Sequence, residues 1–196
     1  MTTLVVVRKD RGVAIAADTM TKWGSGKETA EYIANHGKLL QVGDSWLALT
    51  GNATFKTILA DYFSRPKVKP RFDTPMAIFC TWQTLHAVLK SDYHLLPAGH
   101  DDEALESTRF DALIANKHGI FGVVAHRTVQ EFSRYYAFGS GSSYAMGALH
   151  ALYGGRLDAE TLARRAVEAA AEFDDATGLP INVKPIALQT ARKRAR

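Results

Sequence analysis

The chain has 196 residues, 46% of them apolar and 22% charged, with a net charge of +4 and one cysteine. That length suits one domain, spanning 1–196, whose core needs no covalent staples, and a single cysteine excludes an internal disulfide framework. No stretch approaches the roughly 18 apolar residues of a membrane span, and the N-terminus lacks the profile of a secretion signal, so a reducing, cytoplasmic compartment is expected.

The chain opens MTTLVVVRKDRGVAIAAD, with two threonines directly after the initiator and then an apolar, β-branched run. Residues 2–8 predict a strand. Lys9-Asp10-Arg11-Gly12 predicts a turn, with Gly12 free to take positive φ, and residues 13–17 a second strand. Strands joined by so tight a turn are antiparallel neighbours, which sets Thr2 opposite residue 18 or 19. Asp18 sits there, and a carboxylate ending an apolar run is costly to bury unless paired. It could pair near Thr2, or it could cap the turn Asp18-Thr19-Met20-Thr21; the pattern leaves both open.

Residues 19–37 are polar and glycine-rich and read as loop. Residues 39–42 and 46–50 predict a hairpin around Gly43-Asp44, and Asn52 can cap a helix over 53–64. Pro66-Lys67-Val68-Lys69-Pro70-Arg71 is a basic connector without the aromatics that stack nucleic-acid bases. Asp73-Thr74-Pro75 starts a helix that runs to about residue 92, and Cys80 inside it reads as a core residue rather than a nucleophile. Residues 94–108 read as an acidic loop. Its His94, His100, Asp101 and Asp102 fit no zinc spacing, so no metal or cofactor is expected.

Residues 110–115, 119–124 and 129–138 predict three more strands. A helix over 143–153 ends at Gly154-Gly155, Asp158 caps a helix to about residue 173, and residues 181–188 predict a closing strand. ARKRAR at 191–196 reads as a solvated tail, the other reading being a phosphate or acidic-surface contact. Strands and helices thus fall in blocks rather than in βαβ alternation. The expected class is α+β, with two antiparallel sheets stacked between two helix pairs.

Removal of Met1 would leave Thr2 at the N-terminus, because the aminopeptidase that takes the initiator accepts a small following residue. A terminal threonine joins a hydroxyl nucleophile to an α-amine of pKa near 8, which can act as its own general base.

These residues resemble the start of HslV, the bacterial proteasome-like peptidase. Lys38, opening KLLQV, stands where that family keeps its active-site lysine. Thr50-Gly51-Asn52-Ala53 resembles its glycine turn before the first helix, and Gly139-Ser140-Gly141 its GSG motif before another. Loop and helix details look closer to the β-proteobacterial homologue of HslV. The resemblance implies the four-layer αββα fold of N-terminal nucleophile hydrolases. By the same resemblance Thr2 would be the nucleophile, Lys38 would lower its effective pKa, and Asp18 would orient Lys38. The Gly51 amide would donate to the oxyanion, and Ser140 would lie near the α-amine. Asp174, with Asp175 as a rival, would support Ser140, through a loose match of 174–178 to a weak Asp-x-x-Ser-Gly pattern. Further implications are unfolded-protein or peptide substrates, a homo-oligomeric double ring of twelve or fourteen chains, an ATPase unfoldase as partner, and neither nucleic acid nor membrane. Two other readings stand beside this one: a latent or non-catalytic ring-forming protein, and a dinucleotide-binding turn at GSGSSYA.

Overall fold

The computed structural model describes residues 2–96 and 105–189; Met1, the His100–Asp101–Asp102 cluster and the tail at 191–196 lie outside them. In chain order the elements are β1 (Thr3–Lys9), β2 (Gly12–Asp18), β3 (Thr21–Trp23), β4 (Gly26–Glu28), β5 (Leu39–Val42) and β6 (Ser45–Leu49). Helices α1 (Thr54–Ser64) and α2 (Pro75–Ser91) follow. Then come β7 (Ala112–Asn116), β8 (Gly119–Val123), β9 (Val129–Phe132) and β10 (Tyr135–Gly139), the helices α3 (Ser142–Leu152) and α4 (Ala159–Phe173), and β11 (Ile181–Ala187).

One sheet has the order β10-β1-β2-β11 and the other β5-β6-β7-β8-β9, and every pairing in both is antiparallel. The first sheet is apolar on both faces because it is covered twice. Leu4, Val6, Val13 and Ile15 pack on Ala48, Leu113 and Ile120 of the second sheet. Val5, Val7, Ala14 and Ala16 pack under Leu149 of α3 and Leu162, Ala166 and Ala170 of α4. Successive strand residues point to opposite faces, so a strand between two apolar layers must be apolar throughout. Each such Val, Leu or Ile contributes about 1.5–3 kcal/mol relative to leaving it exposed. Helices α1 and α2 cover the far face of the second sheet through Leu59, Tyr62, Ile78, Trp82 and Leu85. The result is the expected α+β, four-layer αββα arrangement.

The helix starts follow local chemistry. Thr74 Oγ1 accepts the Ala77 N–H at 3.2 Å, and Asp158 Oδ1 accepts that of Thr161 at 2.7 Å. At α1 the helix begins at Thr54 with Ala53 in the cap position, one residue later than expected, and Asn52 Oδ1 still accepts the Thr54 N–H at 2.9 Å.

Four expectations are corrected. Positive φ in the first turn falls on Asp10 (φ 53), and Gly12 already belongs to β2; a short polar side chain tolerates that region. The stretch read as loop at 19–37 contains the β3–β4 hairpin. The strand expected over 129–138 is two strands, β9 ending the second sheet and β10 ending the first. Alternation continues through Phe132, Tyr136 and Phe138, which pack on one another across the break, so strand pattern hides the change of sheet. Cys80 is exposed. The buried side of α2 runs Ile78, Trp82, Leu85, Leu89, and helical spacing turns residue 80 away from it. Among the described residues no helix is long and apolar enough to cross a membrane.

Candidate active site

The hairpin register pairs Leu4 with Ala17, so Asp18 follows directly at the Thr2–Thr3 end of β1. Asp18 is 0% exposed and its two oxygens are divided between two tasks. Oδ1 accepts the Thr2 hydroxyl and, at 3.0 Å, the Thr3 N–H. Oδ2 accepts the N–H groups of Met20 at 3.1 Å and Gly178 at 3.2 Å. Capping and pairing, rivals on pattern alone, are both done by one carboxylate. Burial of a charge is tolerable because every oxygen is satisfied.

Lys38 enters from the other sheet, one residue before β5. Its Nζ donates to Thr2 Oγ1 at 2.7 Å, to Asp18 Oδ1 at 2.7 Å and to the Met20 carbonyl at 2.5 Å. Three ammonium protons meet three acceptors, which leaves the side chain one orientation. Burial pushes the Lys38 pKa below the usual lysine value, against the raising effect of the Asp18 charge and hydrogen bond. The lysine therefore places a cation on the Thr2 oxygen, which favours the alkoxide.

The turn after β10 holds the backbone of Thr2. Ser140 N–H donates to the Thr2 carbonyl at 2.9 Å, and Ser140 Oγ lies 3.4 Å from the same oxygen and donates to Asp174 Oδ2 at 2.7 Å. Asp174 also accepts from Thr177 Oγ1 at 2.5 Å, and Thr177 Oγ1 is 2.6 Å from Thr3 Oγ1. Asp175, the rival for this place, is 78% exposed and pairs with Lys22. Sequence reasoning missed Thr177. Its signal was the Asp174-x-x-Thr177-Gly178 spacing, in which threonine stands where the weak pattern has serine.

Gly51 adopts φ +85, and a side chain there would press on the Arg109 carbonyl at 2.9 Å. Thr50 fixes the turn: its N–H donates to the Asp111 carbonyl at 2.9 Å, and its Oγ1 accepts the Asp111 N–H at 3.0 Å. Gly51 and the first turn of α1 share with Thr2 and Lys38 a cleft of about 420 Å³. The positive end of α1 thus faces the space beside the Thr2 hydroxyl. Thr2, Asp18 and Lys38 are brought into contact, Ser140 holds the Thr2 carbonyl with Asp174 behind it, and Gly51 lines the same cleft.

The dinucleotide-binding reading is overturned. β10 and α3 do form a strand, a Gly-rich turn and a helix, but β10 is an edge strand antiparallel to β1, in a sheet without a parallel pair. A dinucleotide fold needs parallel strands and a free phosphate cradle. Here the turn is taken by the Thr2 carbonyl.

No family model matches the chain. A proteasome subunit beta of Rhodococcus erythropolis strain PR4 and a proteasome subunit beta 2 of Rhodococcus erythropolis are each 39% identical over 88 residues, 43% of this chain. The match spans 28% of those relatives' length. Thiobacillus denitrificans BPH is 56% identical, with a TM-score of 0.92, over 96% of this chain and 100% of that one. A structure of the same BPH in complex with epoxomicin gives 56% identity and a TM-score of 0.90, covering 95% and 99%. A eukaryotic HslV from Trypanosoma brucei has a TM-score of 0.67 over 94% and 99% at 18% identity, a likeness of fold alone.

Proposed function

Since the chain belongs to the proteasome-like family of Thiobacillus denitrificans BPH, we propose that it is a threonine-type peptidase subunit that acts through an N-terminal Thr2 once Met1 is removed. The observation that carries the reading is the Lys38 ammonium at 2.7 Å from the Thr2 hydroxyl oxygen, held there by buried Asp18. The freed α-amine takes the hydroxyl proton as Oγ1 attacks a peptide carbonyl. The Gly51 amide and the first turn of α1 receive the oxyanion. The C–N bond breaks, the ammonium returns its proton to the leaving amine, and an ester remains on Thr2. Water, deprotonated by the same amine, attacks the ester and releases the acid and free Thr2. Lys38 stays protonated throughout and stabilises the alkoxide electrostatically.

The substrates are peptides or unfolded proteins, bound in the cleft beside Thr2. The working form is a homo-oligomeric double ring of twelve or fourteen chains in the cytoplasm, served by an ATPase unfoldase. With Met1 retained, Thr2 carries an amide in place of the base, and the protein is latent.

Intact mass and peptide mapping after incubation with an electrophilic peptide inhibitor test the reading. We expect loss of Met1 and a single adduct on Thr2, and we expect epoxomicin to compete with that adduct. An adduct on any other residue, or an active preparation in which Met1 is wholly retained, would refute it.

The pH profile follows from the same groups. The α-amine must be neutral, so kcat/KM climbs as pH rises through about 8. Lys38 must be charged, so kcat/KM falls again as that proton leaves. Burial lowers the Lys38 pKa, so the descending limb should lie below the ordinary lysine value of about 10.4. A profile still flat at that value would mean that Lys38 is not the depressed, required cation.

A further inference from the structure

Lys56 stands in the first turn of α1, on the wall of the cleft that Thr2 and Lys38 share. Helix stability does not account for it there. The first turn of α1 has no acidic residue, and a cation at a helix N-terminus opposes the helix dipole. Among the described residues, no carboxylate lies within ion-pair distance of its ammonium. Burial lowers the Lys56 pKa, so the placement carries a cost. The Nζ is turned onto two backbone oxygens, donating to the Gly37 carbonyl and, at 3.3 Å, to that of Asn35.

Those two carbonyls belong to the segment that delivers Lys38. Gly37 is its immediate neighbour, and on the other side the chain is backed by β11, where a Cβ on Gly37 would lie 3.0 Å from Asn182 Oδ1. The segment is thus held between α1, which covers the second sheet, and the edge strand of the first. His36 Nδ1 at 2.7 Å from the Ile33 carbonyl closes the loop on itself. Lys38 has no strand partner at its own position, since the β5–β6 pairing begins at Leu39 with Ala48. The Lys56 clamp ties the backbone just before Lys38, at Asn35 and Gly37, to the helix lining the cleft.

Resting on Thr2 as the nucleophile, we propose that Lys56 is a positioning residue: by clamping the Asn35 and Gly37 carbonyls it aims Lys38 Nζ at Thr2 Oγ1. A displacement of about 1 Å at a catalytic group can cost about 100-fold in rate. Lys56→Met removes the donor and keeps the stem. Lys56→Arg keeps a cation whose fork can bridge two carbonyls.

The test is steady-state hydrolysis of a fluorogenic peptide by the assembled wild type, Lys56→Met, Lys56→Arg and Thr2→Ala. We expect Lys56→Met to lose at least roughly tenfold in kcat with KM little changed, and Lys56→Arg to recover most of that loss. Wild-type kcat in Lys56→Met overturns the proposal. So does a rise in KM at constant kcat, which would make Lys56 a substrate contact, or an Arg variant as slow as the Met variant. Hydrolysis that persists in Thr2→Ala, or none in the wild type, is a different failure: it removes the nucleophile reading and the inference with it.

Discussion

Lys38→Met should abolish most peptide hydrolysis while leaving a folded protein. The ammonium donates directly to Thr2 Oγ1, so in the proposed mechanism its loss removes the charge that would stabilise the alkoxide. Removing one donor that stabilises developing charge at a reacting oxygen typically costs about 10²- to 10³-fold, and the drop in kcat should fall in that range. The structural cost is the less obvious part. Breaking a buried ion pair commonly costs about 3–5 kcal/mol because the surviving charge is stranded. Asp18 is not stranded, since the N–H groups of Thr3, Met20 and Gly178 and the Thr2 hydroxyl all remain on it. The destabilisation should therefore lie below that range, and the variant should assemble. Asp18→Asn should be as slow as Lys38→Met, and the double variant no slower than either, because the pair acts as one unit. Additive losses in kcat would show that the two residues act independently.

Gly139→Ala should cost both stability and activity, although residue 139 would touch no substrate. β10 runs antiparallel to β1 with Gly139 opposite Thr3, and its φ of +98 lies where side chains are strained. A Cβ there would stand 1.9 Å from the Thr2 carbonyl oxygen, a distance that backbone cannot yield without moving. That oxygen accepts the Ser140 N–H, so any retreat breaks the clasp on Thr2 and shifts its hydroxyl from Lys38 and Asp18. Strain and a lost hydrogen bond together should cost at least about 2 kcal/mol. For a chain of this size that lowers Tm by roughly 4–8 °C, and kcat should fall with it. Calorimetry at matched chain concentration checks the first half and peptide hydrolysis the second. An unchanged Tm would mean that the turn relaxes at no cost. Gly141 is constrained in the same way from the other side, where a Cβ would meet Thr3 Oγ1 at 2.2 Å. The two glycines of the GSG motif are thus explained by what threads between them.

The parts of the site differ in how far they could be read from residues alone. The resemblance to HslV named Lys38, Gly51, Ser140 and Asp174, but composition and spacing left each with an ordinary reading. Lys38 by itself is a lysine before a strand, and Lys56 is a lysine in a helix. Nothing in their neighbours along the chain distinguishes them from solvated side chains. Thr177 sat in a readable spacing that its own identity obscured.

The sequence by itself brought Asp18 back to the Thr2 end of the hairpin and set the block order, while leaving open whether Asp18 pairs or caps. Both depend on local physics. A tight turn at residues 9–12 between apolar strands leaves an antiparallel register fixed to within one residue, and that register carries residue 18 or 19 back to Thr2. Runs of strands and runs of helices can bury their apolar faces only as stacked layers. Tertiary structure alone decided the rest. It set Lys38 beside Thr2, because they belong to different sheets that meet only when Leu4, Val6 and Ile15 pack on Leu113 and Ile120. It split residues 129–138 between the two sheets and turned Cys80 outward. It also chose Asp174 over Asp175, one residue apart and of equal charge, by which carboxylate the end of α4 points at Ser140. Contacts between distant segments are set by which faces close on one another, and residue spacing does not record that closure.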